Sequence, residues 1–515
     1  MLPTAVADRY SAAGYWPAHT CAQRAAEVVR ARPGDVAVID GDVRLDFATL
    51  AGRAAALARH LEALGVRRGD VVSWVLPNWW EAVAVHHAVL LAGAISNPVN
   101  PAFRERELSF VLDQAQPAVV VAAATWRGFA HAAAIRDLYD GPLLTARTGE
   151  LDEVLAHAEP TAELPTGVSV DPASDAVLLY TSGTTSDPKG VRLSHRALLC
   201  EIASFESIHD LTPADRYLGG SPVSHVAGLV YAVMTPLALG TSSVLMDKWD
   251  AGRALDAIAR EQVTFQTGPP TFLLTLADAY DGTTDISSFR LFSTGGASIS
   301  TENVRHAGAV LGCLVKRAYG STEVPTLTAT NTDDGEDARL ASDGRLIGGA
   351  EMRIVGAGGL DVRSGDEGEI WARAPEMLSG YRDESLHADA FAAEGWFRTG
   401  DLGVVDERGL LHVTGRIKDI IIRGGENISA KEIEDALATH PAVAECAVAG
   451  IPDERMGERV AAYLVPRAGA DPSLEDLTAH LAAAGIAKHK WPETLEIRRS
   501  LPKTDSGKVR KNDLR

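Results

Sequence analysis

Two hydrophobic periods alternate along the first part of the chain. Residues 46–64 place apolar side chains at helical spacing (Leu50, Ala54, Leu57, Leu61), the stripe that a helix buries against a core. Residues 71–76 read as a strand and 81–91 as a helix, and a short apolar run at 177–180 reads as another buried strand. Strand followed by helix, repeated, predicts a parallel sheet covered by helices. From 345 to 414 the pattern shortens to alternating strands (352–355, 369–373, 404–405) broken by Gly and Asp, predicting a small β-rich subdomain. The remainder reads as an α+β module. It starts with a strand at 420–422 that enters a glycine turn, and a helix over 429–439 has Ser429 and Glu432 at capping-box spacing. Strands follow at 446–449 and 460–465, and a helix at 474–483. The expected fold is therefore α/β: a large N-terminal domain of parallel or mixed sheets flanked by helices (1–415, including the β-rich 345–414), a junction at 416–419, and a smaller α+β C-terminal domain (420–515).

Residues 226–246 carry no charge and are long enough to cross a bilayer. Gly228, Pro236, Gly240 and the Thr241-Ser242-Ser243 cluster divide them into a buried helix and a strand, so core is expected rather than membrane. Residues 1–15 lack the basic start and apolar run of a signal peptide. A length of 515 residues predicts two or three domains, and 46% hydrophobic residues suffice for sizeable cores. With 49 basic and 69 acidic side chains the net charge is −20, which argues against a nucleic-acid surface. An anionic substrate then requires locally focused positive charge. Cys21, Cys200, Cys313 and Cys446 are scattered without CxxC spacing, as expected of reduced cytosolic thiols.

Candidate chemistry concentrates at 178–195, LLYTSGTTSDPKGVRLSH. From Thr181 to Gly190 every residue except Lys189 is Gly, Ser, Thr, Pro or Asp. Glycines let backbone N–H groups approach a polyphosphate, hydroxyls donate to it, and the ammonium neutralises it; a polar surface turn has the same composition. Ser194 is placed to cap the helix that follows. Lys189 lies between Pro188 and Gly190, so this is not a GxxxxGK[ST] P-loop. The glycines at 356–359 end in Leu360-Asp361 and do not complete GxGxxG, and neither GxSxG nor HExxH occurs.

Six further strings stand out. They are Ser221-Pro222-Val223-Ser224-His225-Val226-Ala227-Gly228, Ser293-Thr294-Gly295-Gly296-Ala297-Ser298, Tyr319-Gly320-Ser321-Thr322-Glu323, Trp396-Phe397-Arg398-Thr399-Gly400-Asp401 with Gly415-Arg416-Ile417-Lys418-Asp419, and Pro502-Lys503-Thr504-Asp505-Ser506-Gly507-Lys508. Taken one at a time, each also reads as a core histidine, a tight turn, a linker or a solvated tail. Taken with the loop at 181–190, they resemble the adenylate-forming superfamily of acyl-CoA synthetases, luciferases and nonribosomal adenylation domains, over about 46–508.

That resemblance implies a two-step reaction. A carboxylic acid attacks the α-phosphorus of ATP, giving an acyl adenylate and pyrophosphate, and the thiol of coenzyme A then expels AMP. It implies triphosphate binding by Thr181, Ser182, Gly183, Thr184, Thr185 and Lys189, and an adenine and acyl wall at Gly295, Gly296 and Ala297. Tyr319 and Gly320 meet adenine, Thr322 a phosphate, Asp401 the ribose, Arg416 ribose or phosphate, and Glu323 with Thr181 the Mg²⁺. His225, Val226 and Gly228 border the acyl pocket and thioester tunnel, Lys508 is the catalytic lysine, and Lys418 is the hinge of a mobile C-terminal domain. Rotation about that hinge brings Gly424 and Gly425 to the pantetheine tunnel. Trp79-Trp80 and residues 103–110 resemble the branch acting on medium-chain and alicyclic acids. Two features depart from the pattern: Ser224 replaces an aromatic residue, and Lys316-Arg317 is unusual, which marks Arg317 as a candidate anchor for a small or anionic substrate. The expected activity is an AMP-forming acid–CoA ligase for a short or medium-chain, alicyclic or aromatic acid. The alternatives are nitrite activation for diazotisation, carrier-protein loading, or a catalytically dead nucleotide binder. ATP, Mg²⁺ and coenzyme A are the expected cofactors, with the acid, and no nucleic acid, as partner. A homodimer and a cytoplasmic location are also expected.

Overall fold

The computed structural model describes residues 2–165, 168–181, 188–297, 299–504 and 507–514. The expectations for Ser182, Gly183, Thr184 and Thr185 lie outside the described residues.

A seven-stranded and a nine-stranded sheet form the bulk of the chain. In the first, Ile95–Pro98, Val71–Val75, Val119–Ala123 and Leu143–Ala146 are parallel, and Asp175–Tyr180 joins them through Ile95–Pro98. Gly190–Ser194 then pairs antiparallel with Asp175–Tyr180. In the second, Val36–Asp40, Ser242–Leu245, Arg216–Gly219, Phe265–Gly268, Leu291–Gly295 and Leu314–Tyr319 run parallel, with short antiparallel strands at both edges. Helix Trp80–Leu91 packs on strands of both sheets and is buried from Glu81 to Leu91. A helix apolar on all sides belongs in such a place. Helix Phe47–Ala63 presents Leu50, Ala54, Leu57 and Leu61 inward, and Asp46 caps it by accepting from the Thr49 N–H at 2.7 Å.

The uncharged stretch at 226–246 breaks as expected. Val226–Gly228 leads into a π-helical turn, Leu229–Met234, where the Thr235 hydroxyl donates to the Val230 carbonyl at 2.8 Å. Helix Thr235–Leu239 and strand Ser242–Leu245 follow. Among the described residues no helix is long and apolar enough to cross a membrane.

The β-rich segment is a four-stranded antiparallel sheet of Glu351–Val355, Gly368–Arg373, Phe397–Val405 and Leu411–Arg416. Arg345–Leu346, expected in it, instead extends the nine-stranded sheet by pairing with Thr328–Ala329. A fourth sheet of five strands lies beyond Arg416, its core formed by Ile421, Ile428, Leu464 and the helices Ala430–Leu437 and Leu474–Ala483. Half of the expected capping box forms. Ser429 accepts from the Glu432 N–H, but the Glu432 carboxylate turns to Lys490 at 2.7 Å, because a charged partner outcompetes a backbone amide.

Candidate active site

Strands Asp175–Tyr180 and Gly190–Ser194 pair as an antiparallel hairpin. Tyr180 pairs with Gly190, and Thr181 and Lys189 are tied by the Thr181 N–H to the Lys189 carbonyl at 3.0 Å. Ser194 then caps helix His195–His209 by accepting from the Ala197 N–H. The hairpin places Thr181 and Lys189 on the rim of a cavity of about 790 Å³. The cavity lies at the C-terminal ends of parallel strands Leu291–Gly295 and Leu314–Tyr319, where open α/β sheets leave a crevice for ligands.

Each wall of the cavity comes from a different segment. Gly295 and Gly296 end one strand. Gly296 sits at φ +77°, a left-handed backbone that favours glycine, with the Lys508 Cε beside it. Gly320 is fixed by packing, since a Cβ would fall 2.0 Å from the Pro325 carbonyl oxygen. The Tyr319 hydroxyl donates to Asp401 Oδ2 at 2.8 Å, and Arg416 Nε bonds Asp401 Oδ1 at 2.9 Å from the facing position of the neighbouring strand. Asp401 raises the Arg416 pKa, while burial and Asp401 hold the Tyr319 phenol protonated. Tyr381 donates to Glu323 Oε1 at 2.9 Å, and the Lys189 ammonium lies 5.5 Å from the Tyr381 ring centroid.

Lys508 reaches this cluster from the C-terminal tail. A turn in which the Thr504 N–H donates to the Lys508 carbonyl at 2.8 Å, and the Lys508 N–H to Thr504 Oγ1 at 3.1 Å, aims the side chain inward. Burial, then the Arg416 charge, lower its ammonium from 10.5 to about 8, against the opposite pull of Asp401 and Glu323. His225 lines the same cavity, and its Nδ1 accepts from the Ala227 N–H at 3.3 Å. Burial, then Lys508, lower its pKa to about 4, so the imidazole is neutral at physiological pH.

Residues 25–382 match the AMP-binding enzyme family, and residues 432–508 match the AMP-binding enzyme C-terminal domain. The chain belongs to the AMP-binding enzyme family. It is 33% identical over 522 residues to a medium-chain fatty-acid–CoA ligase of Escherichia coli (strain K12), covering 98% of this chain and 92% of that one. The crystal structure of ATP-bound MatB from Rhodopseudomonas palustris superposes with a TM-score of 0.87 at 30% identity, over 96% of this chain and 98% of the other. The o-succinylbenzoate CoA synthetase of Bacillus subtilis, solved with an acyl-adenylate intermediate, superposes with a TM-score of 0.83 at 28% identity, over 96% and 97%. The reaction is the ATP-dependent, AMP-forming ligation of an acid to coenzyme A through an acyl adenylate, with Mg²⁺.

Among the described residues no group of three or more His, Cys, Asp or Glu could hold a metal by itself. A lone carboxylate such as Glu323, beside a cavity for a polyphosphate, suits an AMP-binding enzyme, because Mg²⁺ takes one or two carboxylates and shares the substrate phosphates. Thr322, Lys418 and Val226 also line the cavity.

Other expected residues are placed elsewhere. Arg317 is turned away. Side chains alternate along a strand, so Ala318 faces the cavity while the Arg317 guanidinium donates to the Leu340 carbonyl at 3.0 Å and to Asp343 at 2.8 Å. Its charge is already used, so it does not anchor a substrate. Gly228 packs where a Cβ would meet the Pro222 carbonyl oxygen at 2.0 Å, which is a reason of chain packing. Ser224 is buried outside the lining, Ala297 is exposed outside it, and Tyr319 is also outside it, touching it only through its bond to the lining Asp401. Gly424 and Gly425, at φ +62° and +88°, turn between Ile420–Arg423 and Glu426–Ser429, away from the cavity. Phe205, Ile208, His209, Tyr231 and Tyr381 line the cavity without having been singled out. Phe205, Ile208 and His209 share the end of helix His195–His209, whereas Tyr231 and Tyr381 come from two other elements, with no local string to mark the set.

Proposed function

We propose that the cavity is the adenylation site, with ATP gripped by Thr181, Lys189, Thr322 and Arg416, its ribose held by Asp401, and its adenine laid against Tyr319 and Gly295-Gly296. The observation that carries this reading is the convergence of Lys189, Glu323, Asp401, Arg416 and Lys508, from widely separated parts of the chain, on one cavity. Both reactants are anions, so the barrier is one of charge and position. Lys508 places an ammonium where the carboxylate meets the α-phosphate, and Arg416 neutralises the phosphate side. Mg²⁺, held at Glu323, supplies further countercharge to the triphosphate. The neutral His225 borders the acyl side, where it adds no charge to compete with Lys508.

The same proposal divides the chain into an N-terminal domain (1–415), a hinge at 416–419 and a mobile C-terminal domain (420–515). Lys508 belongs to the first half-reaction. Rotation about Lys418 withdraws it and brings Gly424-Gly425 to the cavity for thioester formation, so that one site performs two chemistries in turn. Lys508→Ala is expected to slow pyrophosphate release by about 10²–10³, by analogy with loss of a preorganised charged donor. Thioester formation from supplied acyl adenylate should stay near the parent rate. Equal loss in both half-reactions would overturn both the role of Lys508 and the rotation. A cytoplasmic location is part of the reading, supported by four free cysteines. A homodimer is the proposed assembly, and light scattering checks it.

A further inference from the structure

The cavity has two chemically different ends. Its lining cations among the described residues are Lys189, Arg398, Arg416, Lys418 and Lys508. They sit on the hairpin, the strands, the turn Ile417–Asp419 and the tail, near Asp401 and Glu323. The opposite end is lined by Phe205, Ile208, His209, Tyr231, Thr294 and Ala329. With the nucleotide placed at the cationic end, this second end is left for the acyl group, so the inference rests on the adenylation reading.

Three features define what fits there. The first is a flat aromatic wall, because the Phe205 and Tyr231 rings stack with centroids 3.9 Å apart and planes 15° from parallel. The Tyr231 hydroxyl is turned away from any ligand, donating to the buried Glu201 at 2.7 Å. The second is closure. Ile208 packs with Ala329 and Ile347, and the helix end carrying it is clamped from behind. Lys316, fully buried, donates to the Ile208 carbonyl, and Arg290 bonds the His209 carbonyl at 3.1 Å. Packing and backbone bonds therefore brace this part of the lining. The third feature is a neutral polar group without a partner. His209 is 3% exposed, its Nδ1 makes no hydrogen bond, and its ring meets Phe205 edge-on at 4.5 Å. Burial, with Lys316 and Arg290 nearby, keeps that imidazole uncharged. A buried polar group left unpaired is costly unless a ligand satisfies it.

We propose that this enzyme activates a compact ring acid, aromatic or alicyclic, bearing one uncharged hydrogen-bonding substituent that meets His209 at the closed end of the acyl pocket. An acid with a second anionic group finds no free cation there, since Lys316 and Arg290 are committed to backbone carbonyls.

The test is AMP formation over one panel: benzoate, the three monohydroxybenzoates, cyclohexanecarboxylate, octanoate and malonate. One hydroxybenzoate isomer is expected to exceed benzoate in kcat/KM by about tenfold, the worth of one neutral hydrogen bond at a buried site, with octanoate and malonate far below. His209→Leu should abolish that tenfold preference. A best turnover with octanoate or malonate would overturn the proposal, as would a preference untouched by His209→Leu. The wild-type panel decides alone should the variant not fold. Absence of AMP with every acid would overturn the adenylation reading, and this inference with it.

Discussion

Burial and the Arg416 guanidinium lower the Lys508 ammonium to about 8, while Asp401 and Glu323 oppose the shift. The group is charged below that value and neutral above it, and its proposed task needs the charge. The kcat/KM of the adenylation half-reaction, which reports the free enzyme, is therefore expected to fall as pH rises through about 8 rather than near the ordinary lysine value. A stopped-time pyrophosphate assay across pH 6–10 checks this, and Lys508→Gln should remove the descending limb. Asp401 shows why a residue of this kind is specified so tightly. Its two oxygens are occupied by Tyr319 and Arg416, and in the proposed adenylation site a ribose diol would exchange with or join those bonds. An amide in its place would leave Arg416 without its carboxylate partner.

Helix His195–His209 links local sequence to the shape of the acyl pocket. It begins at the Ser194 cap, directly after the hairpin strand, and its last turns carry Phe205, Ile208 and His209 into the cavity. Its C-terminal carbonyls are bonded by Lys316 and Arg290, a placement of cations that the helix dipole favours. Lys316→Met should leave the Ile208 carbonyl without that donor and loosen the pocket end. The expected result is a several-fold rise in KM for the acid with KM for ATP unchanged, measured by initial rates with each substrate varied. Equal rises in both would place Lys316 in general stability instead. Sequence reading marked Lys316-Arg317 as unusual, and strand alternation resolves the pair: Arg317 faces Asp343 and Lys316 faces the helix end.

Across the whole molecule, the sheets, the β-rich unit and the tail meet over a core that tolerates buried carboxylates. Glu376 is fully buried, accepts from the Ser204 hydroxyl at 3.0 Å, and has its other oxygen unpartnered. Burial, then the Glu201 carboxylate nearby, raise its pKa from 4.5 to about 8. A carboxyl that holds its proton more tightly when folded contributes stability that is full below its unfolded pKa and is lost as pH rises through the folded value. The melting temperature is thus expected to fall between about pH 4.5 and 8, and Glu376→Gln should flatten that slope. A slope unchanged in the variant would assign the effect to other groups.

The sequence by itself determined the parts whose information is local. The apolar run at 71–76 marked a strand, the 3.6-residue period over 46–64 marked a helix, and Ser194 marked a helix start. The strings around Lys189, Tyr319, Asp401 and Lys508 carried the family and its chemistry, because glycine, hydroxyl and charge at fixed spacing answer to one polyphosphate. The tertiary structure alone decided how those strings meet and what surrounds the acyl group. Only pairing across the Phe397–Val405 and Leu411–Arg416 strands joins Asp401 to Arg416, and only sheet alternation turns Arg317 away from the cavity. The walls made by Phe205, His209, Tyr231 and Ala329 come from elements far apart in the chain, so no short stretch could show their shape. Adenylation is specified by motifs that touch a constant ligand, whereas the acyl pocket is specified by packing between distant side chains.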